Sequence, residues 1–126
     1  MNRALNPASA PTSLPYYSQG VVTDSSRLVF VSGQVGVGLD GSVLDGIEAQ
    51  ARQAFENLNA VVAEAGLTPQ DLVKLTIYLT DPEHLGPFMG AAAASLTEEP
   101  PATTMLFVSQ LGSPDLLVEI EAVAAG

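Results

Sequence analysis

The stretch DGIEAQARQAFENLNAVVAEAG, residues 45–66, is the most regular segment of the chain, and the rest is interpreted around it. Asp45 and Glu48 have the spacing of an N-terminal capping box, and Gly66 can end a helix. The apolar residues recur at helical spacing: Ile47, Ala51, Ala54, Phe55, Leu58, Val61, Val62 and Ala65. The segment predicts an amphipathic helix whose apolar stripe packs against another layer of structure.

Strand-like segments lie on both sides of this helix. Upstream, GVVTDSSRLVFVSGQ (residues 20–34) predicts a hairpin of two short strands with a polar turn at residues 24–26. Downstream, LTPQD predicts a capped helical turn, and VKLTIYLT predicts a strand. One face of that strand carries Val73, Leu75, Ile77 and Leu79. Residues 103–108 and 116–124 predict two further strands joined by the turn LGSPD.

A second helix is expected between Pro82 and Leu96, with its start delayed by Gly86–Pro87. The predicted order is strand, strand, helix, strand, helix, strand, strand. The economical arrangement is an α/β (α+β) fold, in which two helices pack on one face of a mixed β-sheet. We expect a single domain over residues 1–126, with residues 1–15 forming an N-terminal arm.

This arrangement leaves one sheet face uncovered within a single subunit. On the last strand, Val118, Ile120 and Ala122 alternate with Glu119 and Glu121. If the apolar set meets the helices, the other face carries two carboxylates, and it is either solvated or in contact with another subunit. A chain that is 47% hydrophobic and only 14% charged favours an oligomer.

The charge balance limits the partners. Fourteen acidic residues against four basic ones give a net charge of −10, which disfavours both nucleic acid and anionic lipid. No apolar run has membrane-spanning length, so a cytoplasmic protein that binds a small molecule is expected. The chain has no cysteine and one histidine, so neither a metal nor a thiol site is expected.

Few side chains suggest chemistry. Glu119 and Glu121 are same-face neighbours about 7 Å apart, and burial would raise the pKa of either and make it a proton shuttle. The alternative is a solvated strand face. The polar clusters at residues 16–19 and 32–34 are either site residues or ordinary turn residues. His84 is a general base or a surface residue beside a helix start, and no triad is evident.

Six segments, in order, carry a resemblance that runs from Tyr17 to Ala124. They are YSQGV (17–21), VFVSGQV (29–35), QARQAFENLNAVVAEAG (50–66), VKLTIYLTD (73–81), PATT (101–104) and VEIEAVA (118–124). With these segments the chain resembles the Rid family, the RidA/YjgF reactive-intermediate imine deaminases. The resemblance implies a chorismate-mutase-like fold and a homotrimer with ligand clefts between subunits.

The resemblance also implies a reaction and a set of site residues. Deaminating Rid proteins hydrolyse enamines or imines, such as 2-aminoacrylate, to a keto acid and ammonia, without cofactor or metal. By motif position, Glu119 would position and deprotonate the attacking water. Tyr17, Ser32 and Gly33 would line the pocket, and Met105 would orient the water through its backbone carbonyl.

Two positions depart from the family pattern. Thr103 stands where the archetype has an arginine that clamps the substrate carboxylate, and Met89 stands where it has a helix asparagine. A remote base could replace the clamp only if the fold or a neighbouring subunit delivers it. We therefore expect an enamine or imine whose recognition does not depend on a carboxylate, in a pocket shaped by Thr103, Met89 and Met105.

Two alternatives remain open at this point. One is a non-catalytic, trimeric small-molecule-binding or regulatory protein that has the scaffold without the chemistry. The other is a specialised pathway enzyme that uses the same inter-subunit cleft on a non-imine substrate. Some relatives carry an endoribonuclease label, but the −10 charge counts against RNA as a partner.

Overall fold

The computed structural model describes residues 1–11, 15–95 and 97–126. The strands are β1 (Asn2–Leu5), β2 (Gly20–Thr23), β3 (Leu28–Val35), β4 (Leu72–Leu79), β5 (Ala102–Phe107) and β6 (Val118–Ala125). The helices are α1 (Ile47–Glu64) and α2 (Leu85–Ala92). Short 3₁₀ turns cover Pro69–Asp71, Pro82–His84 and Ala93–Ser95. The amphipathic helix and the three strands predicted after it are confirmed within a few residues.

Four strands form a mixed sheet in the order β3-β6-β4-β5. β6 lies antiparallel between β3 and β4, and β4 pairs with β5 in parallel. One face is buried under the helices because Leu75, Ile77 and Leu79 on β4 and Val118 and Ile120 on β6 point into it. The predicted fold class, a mixed sheet with two helices on one face, is confirmed.

The two helices and this sheet face form one hydrophobic cluster. Leu58 and Val62 of α1 are fully buried, and Phe88 of α2 packs on Phe55 of α1 with ring centroids 6.2 Å apart. Truncating a side chain as buried as Leu58 to alanine costs about 2–5 kcal/mol of folding free energy. The helix layer therefore holds the sheet in one arrangement and leaves its opposite face open.

The predicted hairpin at residues 20–34 is wrong. β2 pairs with β1, which lies in the N-terminal arm, whereas β3 pairs with β6 in the main sheet. The Asn2 amide donates to the carbonyl of Ala125 at 2.8 Å and so ties the arm to the end of β6. Alternation of apolar and polar residues predicts that a segment is a strand, but it does not predict which strand pairs with it.

Two predicted helix-start details are also wrong. Gly46, with φ of 85°, precedes α1, and no side chain caps that end, so Asp45 and Glu48 form no capping box. Gly86–Pro87 does not delay α2, which begins at Leu85. A proline in the first helical turn removes an N–H that has no intrahelical partner anyway. The predicted stop at Gly66, with φ of 77°, is confirmed.

β4 contains a local irregularity that shifts its buried face. The register against β6 slips between Leu72 and Lys74, so Leu72 is buried and Val73, predicted on the core face, is only half-buried. From Leu75 onward the predicted alternation holds.

Candidate functional site

The Glu119 carboxylate lies on the open sheet face, directly over the backbone of Gly33. A β-bulge in β3 between Val31 and Gln34 brings Gly33 beneath it. A Cβ added at position 33 would come within 1.9 Å of Glu119 Oε2 and 2.7 Å of its Cδ. A side chain at position 33 would displace the carboxylate from this position, so the bulge and the glycine together leave space for Glu119 here.

Glu121, the other predicted carboxylate, has a different environment on the same face. Its Oε1 accepts a hydrogen bond of 2.5 Å from the hydroxyl of Tyr78. The pKa of Tyr78 is raised above its ordinary value of 10.0, first because this bond to a carboxylate favours the protonated phenol. Desolvation and the charges of Glu121 and Glu119 raise it further. Tyr78 has a single hydroxyl hydrogen, and donating it to Glu121 leaves Glu119 available for another partner.

Ser32 lies beside these groups. It is exposed and borders a shallow depression on the open face together with Lys74, Thr76 and Glu121. Ser32, Gly33 and Glu119, all predicted as site residues, therefore belong to one face of the sheet. We call this the carboxylate face.

A second group of predicted residues lies on the other side of the sheet. Thr103 and Met105 pair with Leu75 and Ile77 and so point to the helix side, where they line a cavity of about 200 Å³. Two more predicted residues, Tyr17 and Met89, line the same cavity. The remaining lining residues are mostly apolar: Tyr16, Phe55, Leu72, Leu75, Ile77, Phe88, Ala92, Ser95, Thr97, Pro100 and Pro101.

Ser18 holds the entrance to β5 in place. It is 2% exposed, and its hydroxyl donates to the carbonyl of Pro100 at 2.5 Å while its N–H donates to the carbonyl of Pro101 at 3.1 Å. Its neighbour Tyr17 is thereby brought to the cavity beside Thr103. The sequence placed Ser18 only in a polar cluster, since nothing local shows which prolines its hydrogen bonds reach.

Thr103 does not present a hydrogen-bond donor to the cavity. Its hydroxyl donates to the carbonyl of Pro101 at 3.0 Å, so the oxygen is left as an acceptor. Thr103 therefore does not replace the carboxylate-binding arginine that the resemblance implies at this position.

The four basic side chains all lie in the described part of the chain, and none of them lines the cavity. Arg27 donates to the carbonyl of Ala65 at 2.9 Å, and Lys74 donates to Thr104 Oγ1 on the carboxylate face at 2.8 Å. Arg3 lies on β1 and Arg52 on the exposed side of α1. Within one chain, no base occupies the place of the expected clamp.

His84 lies in the 3₁₀ turn before α2 and lines neither the cavity nor the depression on the carboxylate face. In the described residues, no group of three or more histidine, cysteine or carboxylate side chains could hold a metal ion. No helix in the same part of the chain is long and apolar enough to cross a membrane.

Comparisons with known proteins identify the family of the chain. A family model described as endoribonuclease L-PSP matches residues 7–126. The chain is 35% identical to the 2-iminobutanoate/2-iminopropanoate deaminase of Salmonella typhimurium, over 98% of each chain. This chain belongs to the Rid (YjgF/RidA) family.

Two solved Rid-family structures extend the match to three dimensions. A Rid protein of Yersinia pestis, YyfB, superposes with a TM-score of 0.88 at 33% identity, over 98% of each chain. Escherichia coli TdcF, solved with bound serine, superposes with a TM-score of 0.74 at 30% identity, over 98% of each chain. The suspected family and its mixed α+β fold are confirmed, and relatives at this level of similarity are named as imine deaminases.

Proposed function

We propose that this Rid protein is a homotrimer that hydrolyses a reactive enamine or imine to a carbonyl compound and ammonia, and that its substrate is not anchored by a carboxylate. The observation that carries the proposal is the pairing of a preorganised carboxylate, Glu119 over Gly33, with an apolar cavity lined by Thr103 and Met89. Family membership supports hydrolysis of an enamine or imine as the reaction. The apolar cavity supports a substrate that is not anchored by a carboxylate.

The two groups of site residues lie on opposite faces of the sheet of one chain. Glu119 and its cross-strand neighbour Tyr78 face away from the helices, whereas Thr103 and Met105 face toward them. They meet only if the carboxylate face of one subunit covers the cavity of the next. A cyclic trimer repeats this heterologous contact three times and closes, so each cleft takes its cavity from one subunit and its carboxylate from a neighbour.

The exposed residues of the carboxylate face fit such a contact. Phe30 is 74% exposed and lies on this face, because it pairs with Val123 of β6. Leu106 lies on it as the partner of Tyr78. Large apolar side chains around two carboxylates are typical of a face that is covered in the assembled protein.

Hydrolysis of an imine needs one group that first accepts a proton as a base and later donates it as an acid. Glu119 removes a proton from water, and the hydroxide oxygen bonds to the imine carbon while the C=N π electrons move to nitrogen, which takes that same proton from the Glu119 carboxyl to give a neutral carbinolamine. The Glu119 carboxylate then removes the hydroxyl proton of the carbinolamine and passes it to the nitrogen, the O–H electrons form the C=O bond as the C–N bond breaks, and ammonia and the carbonyl product leave. An enamine first becomes the imine by gaining a proton at carbon and losing one from nitrogen.

The cavity disfavours a charged substrate. A carboxylate bound there would lose its hydration and find no cationic partner from the same chain. Without a charge-assisted bidentate bond, the binding of a carboxylate substrate is weaker by about 1.5–3 kcal/mol. Burying the unpaired charge weakens binding further. The same acidity that disfavours anionic substrates, a net charge of −10, also counts against RNA.

Ammonia release tests the proposal. The protein is incubated with imines generated in situ, from amino acids by an amino-acid oxidase and from simple amines by an amine oxidase. Accelerated ammonia release from the uncharged imines is expected, and Glu119→Gln should abolish it. The matched control is Glu121→Gln, the same change two residues away on the same face, which should retain activity. Indifference to Glu119→Gln would remove the assigned role.

A small-molecule-binding function is the second candidate. It is favoured by the cavity itself, which is preformed and carries no charged side chain. The relative TdcF has been solved with bound serine, so the scaffold can hold a small molecule. Ligand-induced thermal stabilisation with no turnover of any imine would favour this candidate over the enzyme.

A further inference from the structure

We propose that the cavity beneath α2 is a subsite for a bulky apolar substituent of the substrate, an aryl or branched alkyl group. This inference rests on the proposed function, since it names the class of imine. It goes beyond the absence of a carboxylate clamp, because it states which part of the substrate occupies the cavity.

The size of the cavity supports this substituent. Its volume is about 200 Å³. An engineered apolar protein cavity of about 150 Å³ binds benzene. A phenyl ring with one further carbon therefore fits here, whereas the methyl group of a small imine would leave most of the space empty and gain little from burial.

The lining has the chemistry of a hydrophobic subsite. Phe55 and Phe88 are its buried aromatic residues, and Leu75 and Ile77 from β4 are buried as well. Because these residues belong to the packed core, the subsite exists before any ligand binds. Met89 and Met105 add flexible thioether side chains, which adapt to rings of different shape.

Thr103 orients the reacting group relative to the subsite. Its hydroxyl hydrogen is donated to Pro101, so its oxygen can accept an N–H but cannot donate to a carboxylate. An imine or enamine N–H is a donor of this kind. The apolar substituent then occupies the cavity while the nitrogen is held at Thr103, one of the lining residues.

The test is a graded substrate series of uncharged imines with methyl, isobutyl and benzyl substituents. An amine oxidase produces them from ethylamine, isoamylamine and 2-phenylethylamine, and ammonia release above the uncatalysed background is measured. Burial of each added methylene should raise kcat/KM by about fourfold. The benzyl imine should exceed the methyl imine by at least tenfold, and equal kcat/KM across the series would overturn the subsite.

A pair of variants localises the preference. Ala92→Leu places a larger side chain in the cavity lining and should collapse the benzyl-to-methyl ratio of kcat/KM toward one. Ala93→Leu, the same change at the next residue, is exposed and outside the lining, and should leave the ratio as in the wild type. A ratio unchanged by Ala92→Leu would contradict the placement of the substituent.

A binding measurement separates failure of this inference from failure of the proposed function. Thermal stability is compared with acetone and with benzyl methyl ketone, two uncharged carbonyl compounds that differ in the group proposed to fill the cavity. Stabilisation by the benzyl ketone alone, without turnover of any imine, would support the subsite and refute the deaminase. Turnover of imines with no preference for the aryl group in either assay would support the deaminase and refute the subsite.

Discussion

Gly33 lies so close to Glu119 that a Cβ at position 33 would come within 1.9 Å of Glu119 Oε2. The β-bulge in β3 and the missing side chain of Gly33 together leave space for the carboxylate in this position. Gly33, a glycine within a strand, thus affects where the carboxylate of Glu119 lies. Glu119 is the residue to which we assign the proton transfers.

Gly33→Ala should therefore impair catalysis much more than folding. The carboxylate is the far end of a flexible side chain and can move aside, so we expect unchanged far-UV circular dichroism. A displacement of about 1 Å at a reacting group lowers kcat by about a hundredfold. Gly112→Ala, where a Cβ would meet nothing within 4 Å, is the control and should retain full activity.

Thr103→Arg should restore recognition of a carboxylate. The new guanidinium would enter the cavity where the family pattern has its clamp, and a charge-assisted bond there should raise kcat/KM for 2-iminopropanoate by at least about tenfold. Ala93→Arg is the control, because Ala93 is exposed and lies outside the cavity lining. Equal gains from both substitutions would show that general charge, and not the cavity, controls specificity.

The Tyr78–Glu121 hydrogen bond should make stability depend on alkaline pH. Because the folded pKa of Tyr78 is raised, its stabilising contribution is complete below the unfolded value of about 10 and is lost as the pH rises through the folded value. The difference in Tm between wild type and Tyr78→Phe should be constant up to pH 9 and shrink above pH 10. A difference that stays constant to pH 11 would contradict the shift.

Phe30→Asp should dissociate the oligomer. Phe30 is 74% exposed on the carboxylate face, and an aspartate there would place an unpaired charge in the proposed subunit contact. Sedimentation velocity should show trimer for the wild type and smaller species for the variant. Leu39→Asp, at a fully exposed loop residue outside the sheet, should leave the trimer intact.

Elements with one buried face were predictable from the sequence. The stripe on α1 and the alternation on β6 report burial directly, and both were located within a few residues. Strand pairing was not predictable, since β1 finds β2 through contacts that no local pattern encodes. The start of α1 was also missed because Gly46, and not a capping side chain, makes the turn.

The candidate site was also only partly predictable from the sequence. Motif positions pointed to Glu119, Gly33 and Thr103, but only the three-dimensional packing separates them onto two faces of the sheet. Phe55 and Phe88 have helical core spacing and no local sign that they border a cavity, so the sequence alone did not identify them as site residues. The hydrogen bond that occupies the Thr103 hydroxyl likewise depends on a fold detail.

In the proposed trimer, each site combines the cavity of one subunit with Glu119 of another. This arrangement is tested most directly by mixing Glu119→Gln with the cavity-filling Ala92→Trp, each expected to be inactive on the benzyl imine when alone, and allowing their subunits to exchange. Mixed trimers should recover about one quarter of wild-type ammonia release from the benzyl imine, because each cleft draws its two halves from subunits taken at random. No recovery in demonstrably mixed trimers would show that the site lies within a single chain and would contradict a site shared between subunits.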